Sequence, residues 1–453
     1  MMNKKQMRIW LIFALIFSNT FVNTTNASAI GSGVCASTVG SSGGVVVANS
    51  GGYCYVAFTT TGGNSWTAPI GISAADFLII AGGGAGGAGA WGGGGGAGEV
   101  VYYTNYSVSS SSALNLNIGS GGLSGTASTD PTLNRSNPGT NSWIGSSSGV
   151  VANGGGAGAS YAWNSASTYT VGQSGGSGGG GTENLTSSAP NINNAGGATT
   201  KTSSGSRTGY GNNGGRGGNG STQSGGGGGG AGGVGGDGAL SVGGNGGSGT
   251  NLFSSWLSAI RPGMSGISDW ETATATGFIA GGGGGGTTTT AGSAGSGGAG
   301  AGGSNTTQFP GYNAVSNTGS GGGGAGYGSA ARLGGTGGSG LIIIKYAVLS
   351  ATVNSFNLTA NVTTATFRAP STININVNTP SKITFKAKGV VITGCKNKVA
   401  SGSGSSYTTS CSWRPSVRGQ VDLTAVVVPT GPWANTTTTP LSIRVSNRSS
   451  ART

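Results

Sequence analysis

The stretch Phe77-Leu-Ile-Ile-Ala-Gly-Gly-Gly-Ala-Gly86 carries an apolar strand straight into glycine, and Gly337-Gly-Ser-Gly-Leu-Ile-Ile-Ile-Lys-Tyr346 does the reverse. Between Gly82 and Gly340 about one residue in three is glycine. The apolar runs Phe77–Ile80 and Leu341–Ile344 are too hydrophobic to leave in water. Each is the natural partner of the other in a central sheet. That pairing brings the ends of the glycine region together and makes it one domain.

Glycine at this density without a period normally marks a disordered, low-complexity segment. Each glycine that becomes ordered loses roughly 0.5–1 kcal/mol more backbone entropy than alanine. A collagen-like helix is excluded, because Gly225–Gly230 and Gly281–Gly286 break any Gly-X-Y period and proline is scarce. The apolar brackets favour a compact β scaffold in which glycine tracts pack closely as extended segments, including polyglycine-II-like bundles. Composition alone leaves the order of the tracts between Asn164 and Gly249 open.

Further strands flank and enter the first tract: Gly44-Val-Val-Val47, Tyr53-Cys-Tyr-Val-Ala-Phe58, Val100-Val-Tyr-Tyr103 and Leu114-Asn-Leu-Asn-Ile118. The order Phe58-Thr-Thr-Thr-Gly-Gly-Asn-Ser-Trp66, then Ala75-Asp-Phe-Leu-Ile-Ile80, then Gly92-Gly-Gly-Gly-Gly-Ala-Gly-Glu-Val-Val101 resembles the opening of the bacterial and phage glycine-rich domain. Asn115-Leu-Asn-Ile-Gly-Ser-Gly-Gly122 and the Gly337–Tyr346 segment resemble its later signatures. The resemblance spans about Tyr53 to Tyr346. It implies recognition or structure in tail-fibre and secreted surface proteins, and it supplies no functional residues to carry over.

The first 29 residues read as a secretory signal. Lys4, Lys5 and Arg8 precede the apolar run Ile9–Phe17, and Ala27-Ser-Ala29 is a cleavage site. The run is too short to span a bilayer, and no other segment is long and apolar enough. The expectation is an exported protein at the cell surface, with residues 30–348 as the glycine-rich β domain. Residues 349–446 form a second module and 447–453 a basic tail with no sorting signal.

Four cysteines fit that compartment. Local pairing gives Cys35–Cys54 and Cys395–Cys411, one bridge near each end, each closing a short loop. Without histidine or a CxxC motif a metal or redox role is not expected.

The second module alternates apolar and polar residues in Thr372-Ile-Asn-Ile-Asn-Val-Asn378, Lys382-Ile-Thr-Phe-Lys-Ala-Lys388 and Val421-Asp-Leu-Thr-Ala-Val-Val427. The number and spacing of such strands predict an immunoglobulin-like β-sandwich. Cys411-Ser-Trp-Arg-Pro-Ser-Val-Arg-Gly419 resembles immunoglobulin-like repeats of bacterial surface proteins. Cys395–Cys411 is expected to clip a hairpin within this module. The overall class is therefore all-β.

Charge divides the chain at the same boundary. Residues 30–348 carry seven basic and seven acidic side chains, whereas 349–453 carry eleven basic side chains against Asp422 alone. Lys382, Lys386, Lys388, Lys396, Lys398, Arg414 and Arg418 form a candidate surface for a polyanion such as an anionic cell-surface polysaccharide or extracellular DNA. The alternative is a solubilising surface that also protects strand edges. Sequence-specific nucleic-acid binding is not expected of an exported protein.

Catalysis lacks its usual tools. There is no histidine, and only eight acidic residues are present. Asp269 and Glu271 are the one close acidic pair; on a strand they would share a face. Gly232-Gly-Val-Gly-Gly-Asp237-Gly-Ala-Leu240 nearly fits a calcium-binding nonapeptide, but tandem copies are absent. GxGxxG matches carry no information against this background. Trp91 and Trp163 sit among glycines as candidate platforms for sugar stacking, or else as scarce core bulk; Trp256 reads as core. Thr287–Thr290 hints at an ice-binding face. These readings converge on a non-catalytic structural or adhesive protein without cofactors, with carbohydrate binding as the first alternative and ice binding as the second. The oligomeric state is not legible.

Overall fold

The computed structural model describes residues 35, 38–40, 44–69, 72–126, 135–161, 170–183, 194–218, 222–266, 269–304, 310–327, 332–348, 356–361, 363–403, 406–430 and 435–447. The signal segment, Trp163 and the basic tail from 448 lie outside them.

The first module is built on strands β1 (Thr38–Gly40), β2 (Val45–Ser50), β3 (Tyr53–Phe58), β4 (Gly62–Thr67), β5 (Ala74–Ile80), β6 (Val100–Ser107), β7 (Leu114–Ile118), β8 (Ser142–Ile144), β9 (Val150–Ala152), β10 (Arg207–Tyr210) and β11 (Leu341–Ala347). They form two antiparallel sheets, β1-β4-β7-β8-β9 and β10-β6-β5-β11-β3-β2. The expected bracket pairing is present: Leu341 faces Ile80, Ile342 faces Ile79, Ile343 faces Leu78 and Ile344 faces Phe77. Alternate residues of these strands serve two cores. Phe77, Ile79, Ile342 and Ile344 pack with Trp66, Leu116 and Ile144 between the sheets. Leu78, Ile80, Leu341 and Ile343 pack on the other side against α1 (Ser254–Ile260) and α2 (Trp270–Ala273), where Trp256 and Trp270 are buried. A strand buried on both faces must be apolar throughout, and both bracket strands are.

From one end of these sheets the glycine tracts extend as helices with a three-residue period. In segment 81–89, Gly83, Gly86 and Gly89 donate in turn to Gly338, Gly335 and Arg332, all on one neighbour. Gly84 and Gly87 donate to Gly96 and Gly93 on a second neighbour, and Gly82 and Ala85 to Thr140 and Asn137 on a third. Residues i, i+3 and i+6 therefore face the same way, as in a polyproline-II helix, which has no hydrogen bonds of its own.

Segment 92–98 is the axis of the bundle. Each of its amides bonds a surrounding helix at 2.8–2.9 Å: Gly92, Gly95 and Gly98 to 319–325, Gly93 and Gly96 to 153–159, Gly94 and Ala97 to 224–230. Its carbonyls accept from 81–87, 176–182 and 281–287. Adjacent members of this ring also bond one another, as in Gly322 to Gly84, Gly324 to Gly284, Gly225 to Gly286, Gly226 to Gly181, Ala159 to Gly180 and Gly155 to Gly82. Six helices around one make a hexagonal lattice.

Glycine is required here by proximity. A Cβ on Gly94 would stand 2.0 Å from the Gly283 carbonyl oxygen, and one on Gly95 2.1 Å from that of Gly84. The Cα–H in that place points at the oxygen instead, adding a weak hydrogen bond. In the outer layer every third residue turns to solvent and is released from the constraint: Ser120, Leu123 and Thr126, or Asn245 and Ser248, or Ser293 and Ser296 are exposed. Where the lattice ends, side chains replace the missing neighbour. Asn141 accepts from the Gly154 amide, Asn213 from Thr199, Asn245 from Ser293 and Asn313 from Thr336, all at 2.8–2.9 Å.

The second module comprises β12 (Phe356–Ala360), β13 (Thr364–Thr366), β14 (Ser371–Val377), β15 (Ser381–Ala387), β16 (Val390–Val391), β17 (Lys398–Val399), β18 (Ser401–Ser403), β19 (Ser406–Trp413), β20 (Gly419–Pro429), β21 (Thr436–Thr437) and β22 (Leu441–Ser446). Sheet β12-β14-β19-β18 faces sheet β13-β22-β20-β15-β16 across a core of Ile373, Ile375, Trp413, Phe385, Leu423 and Val427. Regular structure is thus overwhelmingly β, as expected.

Both disulfides pair as expected, Cys35–Cys54 and Cys395–Cys411. The second corrects the hairpin-clip reading. Cys395 is held beside β15 by the Phe385 amide at 3.0 Å, whereas Cys411 lies in β19, so the bridge ties one sheet to the other.

Gly94→Ala must displace a backbone carbonyl and is expected to cost about 3 kcal/mol, the upper range for overpacking. Gly63→Ala meets nothing within 4 Å and is expected to stay within about 0.5 kcal/mol. Thermal unfolding of the two variants checks this.

Candidate functional site

Three places carry chemistry: the junction where the axial helix meets the sheets, the far tip of the bundle, and the basic surface of the second module.

At the junction, the axial helix ends in Glu99, which is fully buried. Arg207 on β10 donates to its Oε1 at 2.8 Å, the only ion pair among the described residues. The amides of Asn153 and Thr202 donate to the same carboxylate at 3.0 and 3.1 Å. Burial raises the Glu99 pKa, and these amide contacts with the Arg207 charge oppose the shift. The arrangement locks β10 and segment 199–206 onto the bundle. Its one signal in the sequence is a lone carboxylate closing a glycine tract; its partner lies too far along the chain to be read.

At the tip, Trp91 sits in the turn between helix 81–88 and the axial helix. Its φ of 47° is costly for a bulky side chain. Contacts hold it there. Its ring stacks on Tyr327 at 5.2 Å and meets the edge of Tyr161 at 4.9 Å. Its indole N–H donates to Thr288 at 3.1 Å, and its carbonyl accepts from the Thr182 hydroxyl at 2.5 Å. Trp91 is 3% exposed, which corrects its reading as a sugar platform: the ring plugs the end of the hexagon. The hydroxyls of Thr287 and Thr288 bond Gln223, and that of Thr289 bonds Ser241, so these threonines secure the tip.

Beside Trp91 lies Glu183, with no exposed surface and no hydrogen bond closed by either carboxylate oxygen. Burial pushes its pKa up to about 6, against the backbone amides of Gln223 and Thr222, which face it and favour the charged form. Tyr161 is pushed to about 12, mainly by burial and then by the Glu183 charge.

The structure separates the other acidic candidates. Asp269 and Glu271 lie at the start of helix α2 and not on a strand, so they do not present a strand face. Asp237 accepts from the Arg216 amide at 2.8 Å and closes a lattice edge, which explains the apparent nonapeptide.

The basic residues do not form one cluster. Lys382 and Lys386 share the outer face of β15, alternating with the buried Ile383 and Phe385. Lys388 occupies the following turn, and Lys396 and Lys398 lie on the exposed edge beyond Cys395. Arg414 and Arg418 lie between β19 and β20. Arg418 packs over Phe367 at 4.6 Å, joined by Arg368 at 5.1 Å, a residue the sequence reading passed over. None has an ion-pair partner among the described residues.

On the outer face of β12-β14-β19-β18, Asn357, Thr359, Asn374, Asn376, Thr408 and Ser410, with Val399 beside them, line a shallow groove of about 420 Å³ that is free of charged side chains.

Fold and sites together define an all-β protein in which a β-sandwich carries a hexagonal glycine bundle. The chain belongs to the glycine-rich domain family, whose model matches residues 59–347. No curated protein matches it.

Removing Arg207 strands a buried charge. Arg207→Ala is expected to cost about 3–5 kcal/mol at neutral pH. Glu99→Gln combined with Arg207→Met is expected to cost less. Without Arg207 the Glu99 pKa rises further, so the folded state binds the extra proton. Arg207→Ala should therefore be more stable at pH 5 than at pH 7, measured by denaturant unfolding.

Proposed function

We propose that the protein is a non-catalytic, exported surface protein of bacterial type. In this reading the glycine bundle is a rigid mount and the immunoglobulin-like second module is its contact with an anionic cell-surface or extracellular polymer. The observation that carries it is the division of labour in the chain. Backbone hydrogen bonds consume the interior of the first module. The cations of the second, without an ion-pair partner among the described residues, lie exposed or half-exposed along one sheet, its edge and one end of the sandwich. The two disulfides and the lack of any described helix long enough to cross a membrane are compatible with export.

Carbohydrate binding is the second reading, supported by the neutral Asn/Thr/Ser groove on the opposite sheet of the second module. Amide and hydroxyl groups in cross-strand rows suit hydroxyl-rich ligands.

The test is retention of the full chain on bacterial cells and on an immobilised anionic polysaccharide across a salt series. Neutralising Lys382, Lys386, Lys388, Lys396, Lys398, Arg414 and Arg418 to Gln is expected to weaken binding at least tenfold and flatten its salt dependence. Salt-independent retention, unchanged in that variant and competed by neutral sugar at constant ionic strength, would replace the first reading with the second.

A further inference from the structure

At the tip of the bundle a carboxylate has been buried with no cation paired to it among the described residues. Glu183 follows helix 176–182, is fully buried, and has both oxygens unpartnered. Other oxygens at the tip are orphaned too. The Thr222 and Ser224 hydroxyls, at the start of helix 224–230, also lack hydrogen-bond partners, and Ser224 is fully buried. Glu183 faces the backbone amides of Thr222 and Gln223. Both hydroxyls lie against Gly218: a Cβ placed there would stand 1.7 Å from Thr222 Oγ1 and 2.6 Å from Ser224 Oγ. Asn194 braces this wall by donating to the Gly217 and Gly218 carbonyls at 2.8 and 3.1 Å.

An isolated buried carboxylate costs several kcal/mol unless it is paired or coordinates a metal. No described cation reaches Glu183. Carboxylate and hydroxyl oxygens are hard donors, matching calcium-type ions and not zinc or copper.

We propose that Glu183, Thr222 and Ser224 form a site for a hard divalent cation of the calcium type, tying the end of helix 176–182 to the start of helix 224–230. One carboxylate implies weak affinity, of the order of 10⁻⁴–10⁻³ M as in extracellular modules. Its role is to fix the tip of the mount, next to the Trp91 plug. The site is distinct from the basic surface of the second module.

Terbium is the probe, because Tyr161 and Trp91 adjoin the site and sensitise its luminescence. The full-length protein is expected to give saturable terbium emission on aromatic excitation, displaced by calcium and not by sodium. Glu183→Gln, which keeps the shape and removes the charge, is expected to abolish that emission while leaving the circular dichroism spectrum unchanged. Calcium at about 10 mM, well above that affinity range, is expected to raise the Tm of the wild type but not of Thr222→Val/Ser224→Ala. Emission that is absent, or equally strong in Glu183→Gln, would overturn the proposal. So would a calcium effect on Tm that is missing in the wild type or undiminished in the double variant.

Discussion

Everything in the first module depends on how closely one backbone lies against the next. A carbonyl oxygen stands about 2 Å from where a Cβ would be at glycine after glycine: Gly83 against Ser320, Gly86 against Gly323, Gly228 against Gly95, Gly321 against Gly95. The lattice leaves no room for a side chain at these glycines, and each amide of segment 92–98 finds a carbonyl on a neighbour. Glycine is therefore used here for its absence of volume. Its freedom of conformation matters elsewhere, as at Gly319, where φ is +65°.

The energetics of such a lattice are nearly balanced. An ordered glycine loses roughly 0.5–1 kcal/mol more than alanine, and a backbone hydrogen bond returns about 0.5–1.5 kcal/mol net. The bundle alone has little surplus. The surplus comes from the sheets, where Phe77–Ile80 and Leu341–Ile344 bury both faces, and from the helical layer around Trp256 and Trp270. At the opposite end, Trp91 covers the axial helix with the one large apolar cluster available there. The mount is held at its base by hydrophobic burial and closed at its tip by aromatic contacts.

Sequence patterns reached the elements that are local. The bracketing strands, the alternation in β14, β15 and β20, and both cysteine pairings are legible because each rests on neighbours or on a period of two. The hexagon is not legible, because which of many similar glycine tracts lies beside which is a matter of tertiary register. One trace of it can be read afterwards: outer segments such as Gly243-Gly-Asn-Gly-Gly-Ser-Gly249 place a polar residue every third position, whereas Gly92–Gly96 has none. Trp91 reads equally as a platform or as core bulk in the sequence, because the tip that buries it is assembled from five distant segments. The Cys395–Cys411 bridge misled because short sequence separation suggested one hairpin, whereas the chain changes sheets between the two residues. Glu99 and Glu183 could be seen as rare charges, but not as buried ones.

A scaffold made this way leaves its side-chain chemistry to the lattice edges, the tip and the junction with the sheets, and has almost none inside. Segment 92–98, one of the most glycine-rich stretches in the chain, is its most enclosed backbone. Residue-resolved amide hydrogen exchange of the intact protein tests this directly. Gly92–Gly98 are expected to exchange as slowly as Leu78–Ile80 and Ile342–Ile344 in the central sheet. Exchange of those glycines at the rate of an unstructured chain would contradict it.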